Sequence, residues 1–99
     1  MRLADIAHAR SGDKGDRADI GLFAYDAAGY ARIKQALTPE RVREHFAWLG
    51  VTAAHIWPLD NLLALKIVLE GALAGNAARN LRSDNLGKTV AAALLRMEL

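Results

Sequence analysis

Residues 10 to 17 read Arg-Ser-Gly-Asp-Lys-Gly-Asp-Arg, eight positions without one apolar side chain, set between two apolar segments. Two glycines, two carboxylates and three cations cannot be buried together at tolerable cost, so the chain must come to the surface here and turn back. The flanking segments, Leu3 to Arg10 and Ala18 to Tyr25, read as strands. On the first, Ala4, Ile6 and His8 share the more buried face, and Leu3, Asp5, Ala7 and Ala9 the other. Between them lies an irregular hairpin of seven loop residues, longer than a simple turn needs. Such length marks a candidate binding loop. The plainer alternative is a polar turn whose charges pair off in water.

Beyond the hairpin, Asp26 is placed to cap a helix from Ala27 to about Ala36, weakened by Gly29. Thr38-Pro39-Glu40 is a stronger start signal, with a capping hydroxyl, proline at the first helical position and an acid in the first turn. The helix it opens carries Val42, Phe46 and Leu49 on one stripe and stops at Gly50. Val51 to Leu59 reads as a third strand, with Pro58 confining it to an edge or to its end. Asp60 or Asn61 then caps the most apolar helix, through about Leu73, on the spacing of Leu62, Leu65, Leu69 and Leu73. Asn76 to Arg82 is a short fourth strand, and Asp84 or Asn85 begins a last helix with Val90, Leu94 and Met97 on one side. The order β-β-α-α-β-α-β-α predicts a single α+β domain over residues 1–99, a sheet of about four strands with helices mainly on one face.

The totals narrow the function. The chain has 99 residues, 53% of them hydrophobic and 24% charged, which describes one globular domain with a small core. A net charge of +2 and no basic run interleaved with aromatics argue against nucleic acid as a partner. Having no cysteine, the chain has neither disulfides nor thiolate metal sites nor a cysteine nucleophile, and a cytoplasmic location is the expectation. The start lacks a signal-peptide core. Leu62 to Leu69, interrupted by Lys66, is too short to span a bilayer, so no membrane partner is expected. Alanine is the commonest residue and only six aromatics add bulk. Part of the apolar surface is therefore expected to be covered in a homo-oligomer or by a partner.

Chemistry could reside in the polar stretch. Gly12 and Gly15 can take positive φ and turn backbone N–H groups inward as a nest, with Arg10, Lys14 or Arg17 adding charge. A phosphate or carboxylate fits such a cradle, although Asp13 and Asp16 repel it unless they turn away. Asp13, Asp16 and Asp19 recur every third residue, a weak pattern for a hard cation that supports no metal assignment. His8 lies close to the loop. Ser11 has His8 nearby, but no oxyanion hole accompanies them, so no catalytic residue is assigned. Arg79 and Arg82, three apart on a strand, point to opposite faces, and at most one of them joins the loop's ligand. Gly87-Lys88-Thr89 resembles the end of a phosphate loop, but Arg82 stands where its first glycine is needed, and a helix start with a solvated lysine is preferred.

A resemblance extends this reading. It is carried by Ala9 to Gly21, by Leu37-Thr38-Pro39-Glu40-Arg41-Val42, by Pro58-Leu59-Asp60-Asn61-Leu62 and by Leu69 to Gly75 with Arg79, Leu81, Arg82, Asp84, Gly87 and Lys88. Together these resemble the small ferredoxin-fold domain at the C-terminus of acyclic terpene utilisation protein A (AtuA) and its relatives, which also occurs as a separate chain. The resemblance implies a ferredoxin-like two-layer sandwich and an accessory role near acyclic terpene or acyl-CoA breakdown, beside a larger AtuA-like protein or as a homo-oligomer. It supplies no catalyst and no cofactor. Asp19 stands where relatives commonly have asparagine.

Three functions are then in view. The first is a binding module recognising a CoA thioester or another anionic metabolite through His8, Arg10 to Arg17, and Arg79 or Arg82. The second is a structural subunit docking on a larger enzyme. The third is a small hydratase or isomerase using His8 and Asp13 as acid and base.

Overall fold

A computed structural model describes residues 1–14, 17–71 and 86–99. After a 3-10 turn at Leu3–Asp5 come strands β1 (Ala7–Lys14) and β2 (Arg17–Ala24), then helices α1 (Ala27–Ala36) and α2 (Pro39–His45). A second 3-10 turn (Ala47–Leu49) leads to β3 (Ala53–Leu59), a third (Asp60–Leu62) to β4 (Ala64–Glu70), and α3 spans Leu86–Leu95. The strands form one antiparallel sheet in the order β1-β2-β4-β3.

Strand alternation divides the sheet into two unlike faces. Ala18, Ile20 and Leu22 of β2 pair with Leu69, Ile67 and Leu65 of β4, and all six are buried. The three described helices pack over this face: α3 against β1 and β2, α1 against β2, and α2 against β3. Ile33 of α1, Val42 and Phe46 at α2 and its end, and Val90 and Leu94 of α3 fill the space between layers. Packing is reinforced between helices too, because the half-buried His45 Nε2 donates to the carbonyl of Ala93 at 2.7 Å. No described helix is long and apolar enough to cross a membrane.

The helix starts follow the local signals. Asp26 accepts from the Gly29 N–H at 2.7 Å, and Thr38 Oγ1 accepts from the Arg41 N–H at 3.1 Å, with Pro39 in the first turn. The second helix ends earlier than expected, at His45, before the 3-10 turn that Gly50 closes in a left-handed conformation.

Three expectations change. The first strand does not begin at Leu3: the 3-10 turn holds Leu3 against the core, with its N–H donating to the Met97 carbonyl at 2.8 Å. Alternation therefore starts at Ala7, which is buried, and His8 is exposed instead of lying on the buried side. The third strand starts at Ala53, two residues later than read. The apolar helix expected from residue 60 to about 73 is instead a 3-10 turn followed by β4. Leu65, Ile67 and Leu69 fit a period of two as well as Leu62, Leu65 and Leu69 fit a helix, and the branched pair Ile67-Val68 suits a central strand. The expected strand from residue 76 to 82 and the cap at residue 84 or 85 lie outside the described residues.

Two features fix the β3–β4 connection. Leu63 follows the 3-10 turn at φ 51°, an uncommon left-handed conformation for a branched side chain. Beside it, the buried Tyr30 of α1 donates its hydroxyl to Asp60 at 2.6 Å, and Lys34 bonds the same oxygen at 3.0 Å. Burial, then the bond to Asp60, pushes the Tyr30 phenol up to about 12. At the far end, Gly71 closes β4 at φ 84°, and a Cβ there would meet the Gly50 carbonyl and Thr52 Oγ1, each at 3.1 Å.

Gly71→Ala is expected to destabilise the fold by about 1–3 kcal/mol, as a strained backbone position does, and a shifted midpoint in urea checks it. Because the folded Tyr30 pKa exceeds its unfolded value of 10.0, its contribution is intact below that pH and lost as the pH rises toward 12. Tyr30→Phe is expected to flatten the dependence of the denaturation midpoint on pH across that alkaline window.

Candidate functional site

The second face of the sheet is not covered by any described element, and its side chains lie in rows set by the strand registers. One row, read from β1 to β3, is His8, Phe23, Ala64 and Leu59; the next is Arg10, Gly21, Lys66 and Trp57. A third is Gly12, Asp19, Val68 and His55, and beyond it Arg17 pairs with Glu70 and Glu70 with Ala53. Aromatic rings stand at both sides of the face. His8 stacks on Phe23 (centroids 5.2 Å apart) and on Tyr25 (5.7 Å), while His55 stacks on Trp57 at 5.9 Å.

Gly21 leaves room for one of these rings. A Cβ there would stand 3.0 Å from the Phe23 ring, so the ring lies over bare backbone in mid-sheet. Between the aromatic ends runs a trough of about 590 Å³, lined by Arg17, Asp19, Trp57, Leu59, Lys66 and Val68. That volume is within the range of small-molecule sites. Trp57 remains 48% exposed and Leu59 39%, whereas Val68 is buried at the floor.

Charge is distributed unevenly along the trough. At one end Glu70 joins three strands: Arg17 Nη2 donates to its Oε1 at 3.1 Å, and His55 Nε2 lies 3.2 Å from its Oε2. The His55 hydrogen bond first, then that of Arg17, holds the Glu70 carboxyl below the usual carboxylate value of 4.5. Elsewhere on the face, the side chains of Arg10, Asp19 and Lys66 have no hydrogen bond or ion pair among the described residues.

From residue 10 to residue 14 the polar stretch singled out in the sequence is strand and not an open cradle. β1 continues through Lys14 and pairs residue by residue with β2, from Arg10 against Gly21 to Lys14 against Arg17. The reason is that a regular ladder satisfies backbone groups that a loose loop would leave to water. Gly12 has ordinary extended backbone, so it forms no nest. Gly15, Asp16, Arg79 and Arg82 lie outside the described residues. Asp13 and Lys14 are described only as backbone positions of β1.

Of the expected site residues, His8, Arg10, Gly12 and Arg17 come together on the open face. Ser11 belongs to the helix-covered side, opposite the buried Ile20. Position 13 pairs with buried Ala18, on the face opposite to His8, so the strand separates the two positions proposed as acid and base. The same parity puts positions 13 and 19 on opposite faces of the sheet. Trp57, Leu59, Lys66, Val68 and the Glu70 cluster were missed as a site. His55, Trp57 and Leu59 share a period of two, which was legible, but the helical reading of residues 60–73 hid the matching period of Lys66, Val68 and Glu70.

The model of the AtuA ferredoxin-like domain family matches residues 1–99. This chain belongs to that family. No curated protein and no solved structure matches it significantly. The one-sided sheet agrees with the ferredoxin-like α+β fold of the AtuA ferredoxin-like domain, and in this member the surface the helices leave free carries the aromatic and charged rows described above.

Because the folded Glu70 pKa is depressed, its contribution is present above pH 4.5 and is lost as the pH falls through the folded value. Glu70→Gln is expected to remove that part of the acid dependence, giving a shallower fall of the urea midpoint below pH 4.5 than in the unaltered chain.

Proposed function

We propose that this chain is a non-catalytic accessory module that binds an anionic small molecule on the open face of its sheet, a CoA thioester being the first candidate. The observation that carries the reading is the trough itself, which combines an apolar floor and aromatic wall with Arg17 and Lys66. An apolar or planar body can leave water against Trp57, Leu59 and Val68 while an anionic group is held by the cations. Arg17 lines the trough and Arg10 stands on the same face of the sheet, which supports a part for the polar stretch in binding. The family resemblance supports a setting in acyl-CoA or acyclic terpene breakdown.

A second reading rests on the same surface. Trp57, Leu59, Leu62 and Tyr25 are large and exposed, as expected where a second copy or a larger AtuA-like protein covers the sheet. A bound partner would bury the trough, so the two readings differ in what Trp57 meets.

Titration calorimetry with acetyl-CoA and longer acyl-CoA thioesters is expected to show binding that Lys66→Ala and Trp57→Ala each weaken about tenfold or more, the scale of a lost charge-assisted contact or a lost stacking ring. Absence of heat with every thioester, together with a concentration-dependent dimer in sedimentation, would favour the docking reading instead.

A further inference from the structure

Resting on the reading of the open face as a ligand site, we infer that the trough recognises the nucleotide part of its ligand, an aminopurine nucleotide, and not an acyl chain. Asp19 carries this inference. It is half-buried on β2, lines the trough opposite Val68, and has no ion pair or side-chain hydrogen bond among the described residues. A carboxylate in that position repels a fatty-acid head or a bare phosphate. It rewards a ligand that presents N–H donors at the same place.

The neighbouring groups specify the rest of such a ligand. Trp57 stands on β3, two strand spacings from β2, roughly 10 Å across the sheet. One flat bicyclic ring fits between Trp57 and Asp19, with Val68 beneath it. His55 backs the indole, with ring planes 29° apart, and the indole is still 48% exposed for stacking. In the adjacent row Arg10 and Lys66 flank Gly21, with the Phe23 ring lying over the glycine backbone between them. Both are exposed cations without an ion pair among the described residues, and their long side chains can converge on one phosphate.

A flat ring with an exocyclic amine, joined by a sugar to a phosphate, satisfies all three requirements. An acyl chain satisfies only the apolar wall and leaves Asp19 without a donor. Nucleic acid is a poorer fit, because a single strand needs a continuous basic groove and here Asp19 and Glu70 interrupt the cations of the face.

The test is titration of the full chain, by calorimetry and by tryptophan fluorescence, with ADP, the bisphosphorylated adenosine end of CoA, purine riboside diphosphate and an S-acyl pantetheine. The two adenosine ligands separate a free nucleotide from the nucleotide end of CoA, and binding of either supports the inference. Purine riboside diphosphate, lacking the exocyclic amine, is expected to bind about tenfold more weakly than ADP, the effect of one unmet hydrogen bond to a charged group. Asp19→Asn is expected to shrink that preference, Trp57→Ala to weaken both purine ligands, and a double Arg10→Ala, Lys66→Ala variant to do so through the phosphate. Unchanged circular dichroism in these surface variants keeps the comparison about binding. Equal affinity for the two purine diphosphates, or a preference that survives Asp19→Asn, overturns the inference. Binding of S-acyl pantetheine without binding of either adenosine ligand overturns it too, while leaving the anionic-ligand site with CoA thioesters standing. If nothing binds, including intact acyl-CoA, both fail together.

Discussion

The pairing of β2 with β4 at the centre of the sheet is the constraint on which the remaining structure depends. Its register sets Ala18, Ile20 and Leu22 against Leu69, Ile67 and Leu65, and these side chains form the surface on which the helices pack. Because alternation has a period of two, the same register sends Arg17, Asp19, Gly21, Glu70, Val68 and Lys66 to the other face. A slip by one residue would exchange the two sets, burying charges under the helices and exposing the core. The hydrophobic face therefore fixes the polar one.

Having the described helices on one side leaves the opposite surface uncovered by them, and its composition is unlike that of a merely solvated sheet. Aromatic rings occupy the two flanks, the Phe23 ring lies over the backbone of Gly21, and Val68 is buried although no described helix covers it. Glu70 ties β2, β4 and β3 together at one end of this face. On the far side of the molecule, Tyr30 and Lys34 tie α1 to Asp60 and so position the turn that delivers β4 to the sheet. Polar contacts thus hold both ends of β4, while its middle is held by apolar packing.

Legibility in the sequence followed the range of the interaction involved. The caps at Asp26 and Thr38, Pro39 in the first turn and the left-handed stop at Gly50 depend on residues within four positions, and each was readable. The character of residues 62–69 was not. An apolar run of that length satisfies both helix and strand periods, and the choice was made by β2 and β3, distant in sequence, which offer β4 a hydrogen-bonding partner on each side. The shape of the polar stretch was misread from residue 10 to residue 14. Its glycines and charges permit a loop, yet the facing segment from Arg17 to Ala24 turns most of it into ladder.

The amino-acid order alone determined an α+β domain of the AtuA ferredoxin-like family through its motifs, and the caps at Asp26 and Thr38 and the clustering of charge near residues 10 to 17 through short-range chemistry. Only the tertiary structure decided which of those charges share a surface. Arg10, Asp19, Trp57 and Lys66 come from four different strands, and nothing local to any one of them indicates the other three. Their meeting is a product of strand order and register, because an antiparallel sheet brings residues far apart in the chain onto neighbouring strands about 5 Å apart.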